Sequence, residues 1–222
     1  MLMRVMWLAA AIVSILFASP AAAAMLAEGE MDGQALRLVV DREAGRVLVN
    51  VGGRRSLVDL QAGHVYLSEG VGGMQRVHAR YRPGYGEGPD YEIAPWGPGP
   101  MIAGHASFYH VVTLDGQICA EVLISGWMKP FIEPAAQALS ILEQLHRPRI
   151  EEPCARIPFA TYAAAGWPLM AGKIDHPIFT TSSIRFDYQP AGDELALPTQ
   201  FEDVGPEALA RLAAMSAGRR DR

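Results

Sequence analysis

The residues able to do chemistry are spread through this chain without catalytic or ligand spacing. Six histidines are present: His64, His78, His105, His110, His146 and His176. His105 and His110 are five positions apart, which puts them on opposite faces of a strand. No His-Glu-x-x-His or tight histidine pair occurs. Met74, Met101, Met128 and Met170 have thioethers of the kind that suit copper, but they too are dispersed. There is no Gly-x-Ser-x-Gly, and Ile124-Ser125-Gly126-Trp127 reads as a strand end. Gly70-Val71-Gly72-Gly73 opens a strand and not a helix, so it is no phosphate cradle. The expectation is a protein without catalytic residues, metal site or cofactor.

Two cysteines remain, Cys119 and Cys154. Their chemistry depends on compartment, and the N-terminus speaks to that. Met1 to Arg4 is a short basic start, Val5 to Phe17 is apolar, and Ser19-Pro20-Ala21-Ala22-Ala23-Ala24 ends in small residues. These are the three parts of a secretory signal peptide, with cleavage expected after Ala24. The apolar run is shorter than the roughly 20 residues a spanning helix needs. A periplasmic or secreted protein that does not span the membrane is expected. In an oxidising compartment an even cysteine count predicts a Cys119–Cys154 disulfide. It would close a loop of about 35 residues, worth roughly 3–4 kcal/mol in the chain-entropy model.

The formal charge is −5 over 222 residues, and loss of Arg4 makes it one unit more acidic. Such a balance argues against a nucleic-acid partner, which needs a basic face. Residues 25–222 fit one domain.

Positioning elements follow from a repeat. Val40-Asp41-Arg42-Glu43-Ala44-Gly45 recurs as Val58-Asp59-Leu60-Gln61-Ala62-Gly63. Each copy has a β-prone entry, an Asp able to bond its own backbone, and a Gly suited to φ > 0. A meander is predicted over 35–41, 46–51, 56–60, 64–68 and 74–81. Residues 82–100 hold five prolines and five glycines and read as a loop. Strands are predicted at 108–114 and 118–125. Within a helical insert at 128–150, Pro134 to His146 shows helical spacing, with Ala135, Ala138, Leu139, Leu142 and Leu145 on one stripe. A long strand at 178–188, a short strand at 194–197 and a helix opened by Gly205-Pro206 complete the reading.

Short motifs then suggest a family. They are Val58-Asp59-Leu60 with Val65-Tyr66-Leu67, Cys119 leading a strand, Gly166-Trp167-Pro168-Leu169, and the close Leu195-Ala196-Leu197-Pro198-Thr199-Gln200-Phe201. Over roughly 35–204 the layout resembles the periplasmic half-barrel proteins related to the outer-membrane lipoprotein carrier, and their uncharacterised relatives. The resemblance implies an α+β fold: a strongly curved antiparallel sheet with helices over its concave face, and a hollow for acyl chains or an apolar peptide. It transfers no individual functional residue.

The expected function is non-catalytic binding of an apolar or amphipathic ligand, such as a lipid, acyl chain or peptide, in the cell envelope. Phe108, Val112 and Leu114 on one strand, with Thr180, Ser182, Ile184, Phe186 and Tyr188 on another, are the candidate lining. The alternatives are a His/Met metal-handling protein and a structural or interaction module with a filled core. Partners and oligomeric state are not encoded in any motif. Cys154→Ala is expected to lower unfolding stability by about 2–5 kcal/mol, read from denaturant midpoints, and alkylation of the unreduced folded protein is expected to modify neither thiol.

Overall fold

Hydrophobic alternation in the first strands explains why the sheet is covered on both sides. In a computed structural model, which describes residues 24–68, 73–79, 90–146, 154, 157–173 and 176–205, strands β1 (Ala24–Met31) and β2 (Gln34–Asp41) form the first hairpin. Leu36, Leu38 and Val40 join one buried cluster, and Val39 joins another on the opposite face. The hairpin leads into β3 (Arg46–Val51), β4 (Arg54–Asp59), β5 (His64–Ser68) and β6 (Met74–His78). β7 (Glu92–Pro98), β8 (Phe108–Leu114) and β9 (Gln117–Ser125) follow. After a 3-10 turn at Gly126–Met128 come helices α1 (Lys129–His146) and α2 (Phe159–Ala165). β10 (Trp167–Lys173), β11 (His176–Tyr188) and β12 (Glu202–Val204) end the order. The twelve described strands form one sheet in the order β12-β6-β5-β4-β3-β2-β1-β11-β10-β9-β8-β7. Neighbours are antiparallel except for the parallel β12–β6 pair. The described fold is therefore an open antiparallel sheet with two helices, as the α+β expectation requires.

The repeated hairpin is built as its residues dictate. The Asp41 carboxylate accepts from the Ala44 amide at 2.9 Å, and the Asp59 carboxylate accepts from the Ala62 amide at 2.9 Å. Gly45 and Gly63 have φ of 63° and 67°. Each glycine's carbonyl then accepts a bond from the chain ahead, Leu60 N–H to Gly45 and Ala79 N–H to Gly63. The predicted meander is present, with β1 added before it.

The remaining differences have local causes. Within 82–100, residues 90–100 are described, and Glu92–Pro98 is a strand where a loop is expected. It lies at the end of the sheet, where Pro95 and Pro98 need supply no ladder donor on the outer side. α1 begins five residues before Pro134, so that proline lies inside the helix and not in its first turn. Glu194–Leu197 is irregular and not a strand. The segment leading from β11 to β12 crosses the outer face, where Leu195 packs with Leu26, Val39, Leu48, Leu57 and Tyr66. The expected signal segment up to residue 23, residues 82–89, residues 147–150 of the insert and the expected C-terminal helix from Pro206 on lie outside the described residues. Cys119 and Cys154 are bonded, with Cα atoms 4.8 Å apart.

The segment 189–204 is held by charge as well as by apolar contact. The Arg37 guanidinium donates to Glu28 at 2.9 Å, to Glu194 at 2.9 Å and to the Tyr188 hydroxyl at 2.6 Å. Tyr188 in turn donates to Glu194 at 2.5 Å. Arg55 donates to the Glu194 carbonyl, and Arg46 to that of Leu195 at 3.3 Å. Burial opposes ionisation of Glu194, but the Tyr188 and Arg37 bonds outweigh it and hold its carboxyl below the usual range. Arg76 and Asp203 form two bonds, at 2.6 and 2.7 Å, where β12 meets β6.

The two parts of the sheet meet where β1 pairs with β11. Between Glu28 and Gly29 the register shifts: Glu28 faces Ser183, and Gly29 faces Thr181. A Cβ built on Gly29 would overlap the Thr180 carbonyl oxygen, a backbone atom. Gly29 is required by this close approach, although its φ is ordinary. Gly29→Ala is expected to destabilise by about 1–3 kcal/mol or more through overpacking, seen as a lower urea midpoint, whereas Gly33→Ala, where the added Cβ meets nothing within 4 Å, is expected to cost only the strain of its positive φ.

Candidate functional site

α1 runs along one sheet face, and its apolar stripe seats it there. Ile132, Ala135, Ala138, Leu139, Ile141 and Leu142 are buried against the sheet. Near its C-terminal end the packing is incomplete. A cleft of about 230 Å³ lies between Leu139, Leu142 and Glu143 of α1 and Met31, Gln34, Val49, Val51, Arg54 and Ser56 of the first four strands, with Asp32 in the β1–β2 turn. A second space of about 110 Å³ shares Met31, Asp32 and Glu143, and is otherwise lined by Ile157, Phe159, Tyr162, Ile178 and Phe179. The two flank Glu143. Their walls are mainly apolar, with Asp32, Gln34, Arg54 and Glu143 as polar fixtures.

Several backbone features position these groups. Asp32 has φ 50° in the hairpin turn, and its amide donates to the Ile178 carbonyl at 2.8 Å. That bond ties the turn to β11. The Glu143 carboxylate accepts from the Phe159 amide at 3.2 Å, which fixes α2 against α1. α2 starts after Pro158 and stops at Gly166, where φ is 149°. Phe159 stacks edge-on with Trp167 and with Phe179. Tyr162 is 3% exposed, and its hydroxyl has no hydrogen-bond partner among the described residues. Burial, then the Glu143 carboxylate, then Tyr91 push its pKa well above the ordinary 10.

None of the sequence-predicted lining residues borders this cleft. Val112 is fully buried in the core. Phe108 stands exposed at the start of β8, and Leu114 is half-buried at its other end. The long strand does not present 178–188 as one face. Phe179 and Thr181 face the helices, Thr181 bonding the Trp167 indole at 3.3 Å and the Pro168 carbonyl at 3.2 Å. Thr180, between them, faces the other way, opposite Glu30. Ser182 sits in the bulge and donates to the Glu28 carbonyl at 3.1 Å. Past the bulge, Ile184 and Phe186 pack on the helix-side core. A second register shift, between Ala24 and Leu26, returns Tyr188 to the outer face beside Glu194. The bulges divide the five β11 candidates between two faces, and the three on β8 lie beyond two intervening strands. Of the cleft residues, Leu139 and Leu142 were reachable through the apolar stripe. Asp32 was marked by the Asp32-Gly33 turn dipeptide, whereas nothing local marked Met31 or Tyr162.

Among the described residues no cluster of three or more His, Cys, Asp or Glu side chains has the geometry to hold a metal. Nor is any helix among them long and apolar enough to cross a membrane.

No family model matches the chain, and no curated protein matches it. Among solved structures it is similar to PNGF-II, with TM-score 0.45 and 8% identity over 87% of this chain and 32% of that one. It is also similar to MucB, with TM-score 0.31 and 12% identity over 81% of this chain and 59% of that one. The chain thus spans about a third of PNGF-II and less than two thirds of MucB. Neither neighbour bears on what this chain does.

The buried hydroxyl makes a pH test of this geometry. A raised tyrosine pKa means that the folded state keeps a proton which the unfolded chain loses above about pH 10. Stability is therefore fully present below about pH 10 and falls as pH rises toward the folded value. Tyr162→Phe is expected to flatten that alkaline loss, and to be near neutral in stability at pH 7 because no bond is broken. Urea denaturation of both proteins at pH 7 and pH 11 measures this.

Proposed function

We propose that this protein binds an apolar or amphipathic ligand non-catalytically, in the cell envelope, through the cleft between α1 and the first four strands. The carrying observation is the arrangement of that cleft: an apolar floor and roof with charged groups confined to a few positions, the ordinary design of a small-ligand site. At about 230 Å³ it falls below the roughly 300 Å³ at which such sites begin. It suits the end of an acyl chain or one apolar side chain better than a whole ligand. Tyr162 lines the adjoining space with its ring, while its hydroxyl is buried. Both described helices on one face and an irregular segment on the other accord with a half-barrel whose concave side carries the helices, and so with the lipoprotein-carrier resemblance. The proposed envelope location rests on the signal-like N-terminus and accords with the disulfide.

A fluorescent fatty acid such as cis-parinaric acid tests the reading with the full chain. Saturable one-to-one binding is expected. Ser56→Trp, which fills the cleft floor, is expected to weaken binding at least about tenfold, or 1.4 kcal/mol, with an unchanged urea unfolding midpoint. Thr180→Trp, on the other face, is expected to bind as the parent does. Absence of saturable binding, or equal losses in both variants, overturns the reading and leaves a structural or interaction module.

A further inference from the structure

The other end of the sheet carries a second feature. From Ile93 to Leu114 the chain contains no Asp, Glu, Lys or Arg, and the same holds from Val122 to Met128. The registers Pro98 to Phe108 and Phe108 to Ile124 bring the end of β7, the start of β8 and the end of β9 together. This uncharged lobe displays large apolar side chains. Trp96 is 69% exposed, Met101 66%, Phe108 54% and Trp127 56%. Isolated exposed apolar residues are normal, but four on one charge-free lobe call for a partner.

The lobe's backbone indicates which partner. The Gly99 amide donates to the Ser107 carbonyl at 2.9 Å, and Ile102 and His105 exchange bonds of 3.0 and 2.8 Å. The Ser107 hydroxyl donates to the Pro100 carbonyl at 2.6 Å. Pro95, Pro98 and Pro100 have no amide donor at all. These bonds satisfy part of the lobe's polar backbone and so lower its cost of leaving water. Pro95 and Pro98 leave two of the seven residues of edge strand β7 without an amide donor, which makes it a poorer template for a strand-adding protein partner. Below the tip, His105, Trp127, Phe186 and Phe131 form a chain of ring contacts, with centroids 5.0 to 5.1 Å apart along it. Arg42 lies over the Phe131 ring at 5.4 Å. An apolar tip, aromatic rings behind it and a cation further back match the layering of a bilayer interface, where Trp and other amphipathic rings settle at headgroup level.

We propose that the 94–108 lobe with Trp127 docks peripherally into the interface of a phospholipid bilayer. Docking there directs the chain end-on to the membrane, with the cleft at the far end of α1. It does not depend on the cleft binding any ligand.

The test uses the full chain carrying Ala106→Cys, labelled with an environment-sensitive dye, since the chain's own cysteines are bonded to each other. Phosphatidylcholine vesicles are expected to blue-shift this label, and nitroxide-bearing lipids to quench it. The same dye at Glu30→Cys, exposed toward the opposite end, is expected to do neither. Adding Trp96→Ser and Met101→Ser is expected to lower vesicle partitioning of the labelled chain at least about tenfold. Because every variant keeps residues 1–23, that difference belongs to the lobe. An unresponsive lobe label, equal response at both positions, or unchanged partitioning in the serine variant overturns the proposal. So does a blue shift that rises with protein concentration without vesicles, which would assign the lobe to a second copy of the chain.

Discussion

The antiparallel pairing of β1 with β11 is the interaction on which the rest of this structure depends. β1 links the meander β2–β6 to the block β7–β11, and both flanks of it are filled with ladder bonds. Its position dictates the cleft as well. Met31 and Asp32 come from the end of β1, Ile178 and Phe179 from the start of β11, and the Asp32 amide joins the two. Close approach at Gly29 makes the pairing possible, and the bulge beside it sets which side chains of β11 meet the helices.

The sheet is also unusual in needing cover on both faces. The helices supply it on one side. On the other, a short irregular segment does the same work through one buried leucine and a set of polar bonds to its backbone. Arg37 stands at the centre of that set, in reach of Glu28, Glu194 and Tyr188 at once. It lies on a strand whose next outward residue, Val39, is fully buried, so a single face passes from ion pair to core within two positions. Burial of the Glu194 side chain makes its contact with Arg37 stronger than an exposed surface pair, which is worth little.

Local chemistry was legible in the sequence, and long-range geometry was not. The Asp41 and Asp59 turns, their glycines and the stripe of α1 follow from neighbours a few residues apart. The cysteine pairing was readable because two cysteines allow one bond. β1 was hidden because Ala24 to Leu26 continues the small and apolar character of the segment before it. α2 is only seven residues, rich in alanine, with no side-chain cap at its N-terminus. The face assignment of β11 failed because alternation assumes an unbroken period of two, and each extra residue in a bulge reverses it. Thr180 and Ser182 were expected to line the hollow; one points away from the helices and the other occupies the irregularity itself.

The central seam joins the first described strand to one of the last. Ala27 and Ile184 are partners across it, so most of the chain must exist before the sheet can be completed. Such distant contacts delay folding, since ordering is needed long before it is rewarded. Until β11 arrives, β1 is an open edge with apolar residues on both faces, the kind of surface that recruits strands from other molecules. The meander therefore has a dangerous interval in its life history, and it falls between the making of its first hairpin and the arrival of residues 176–188.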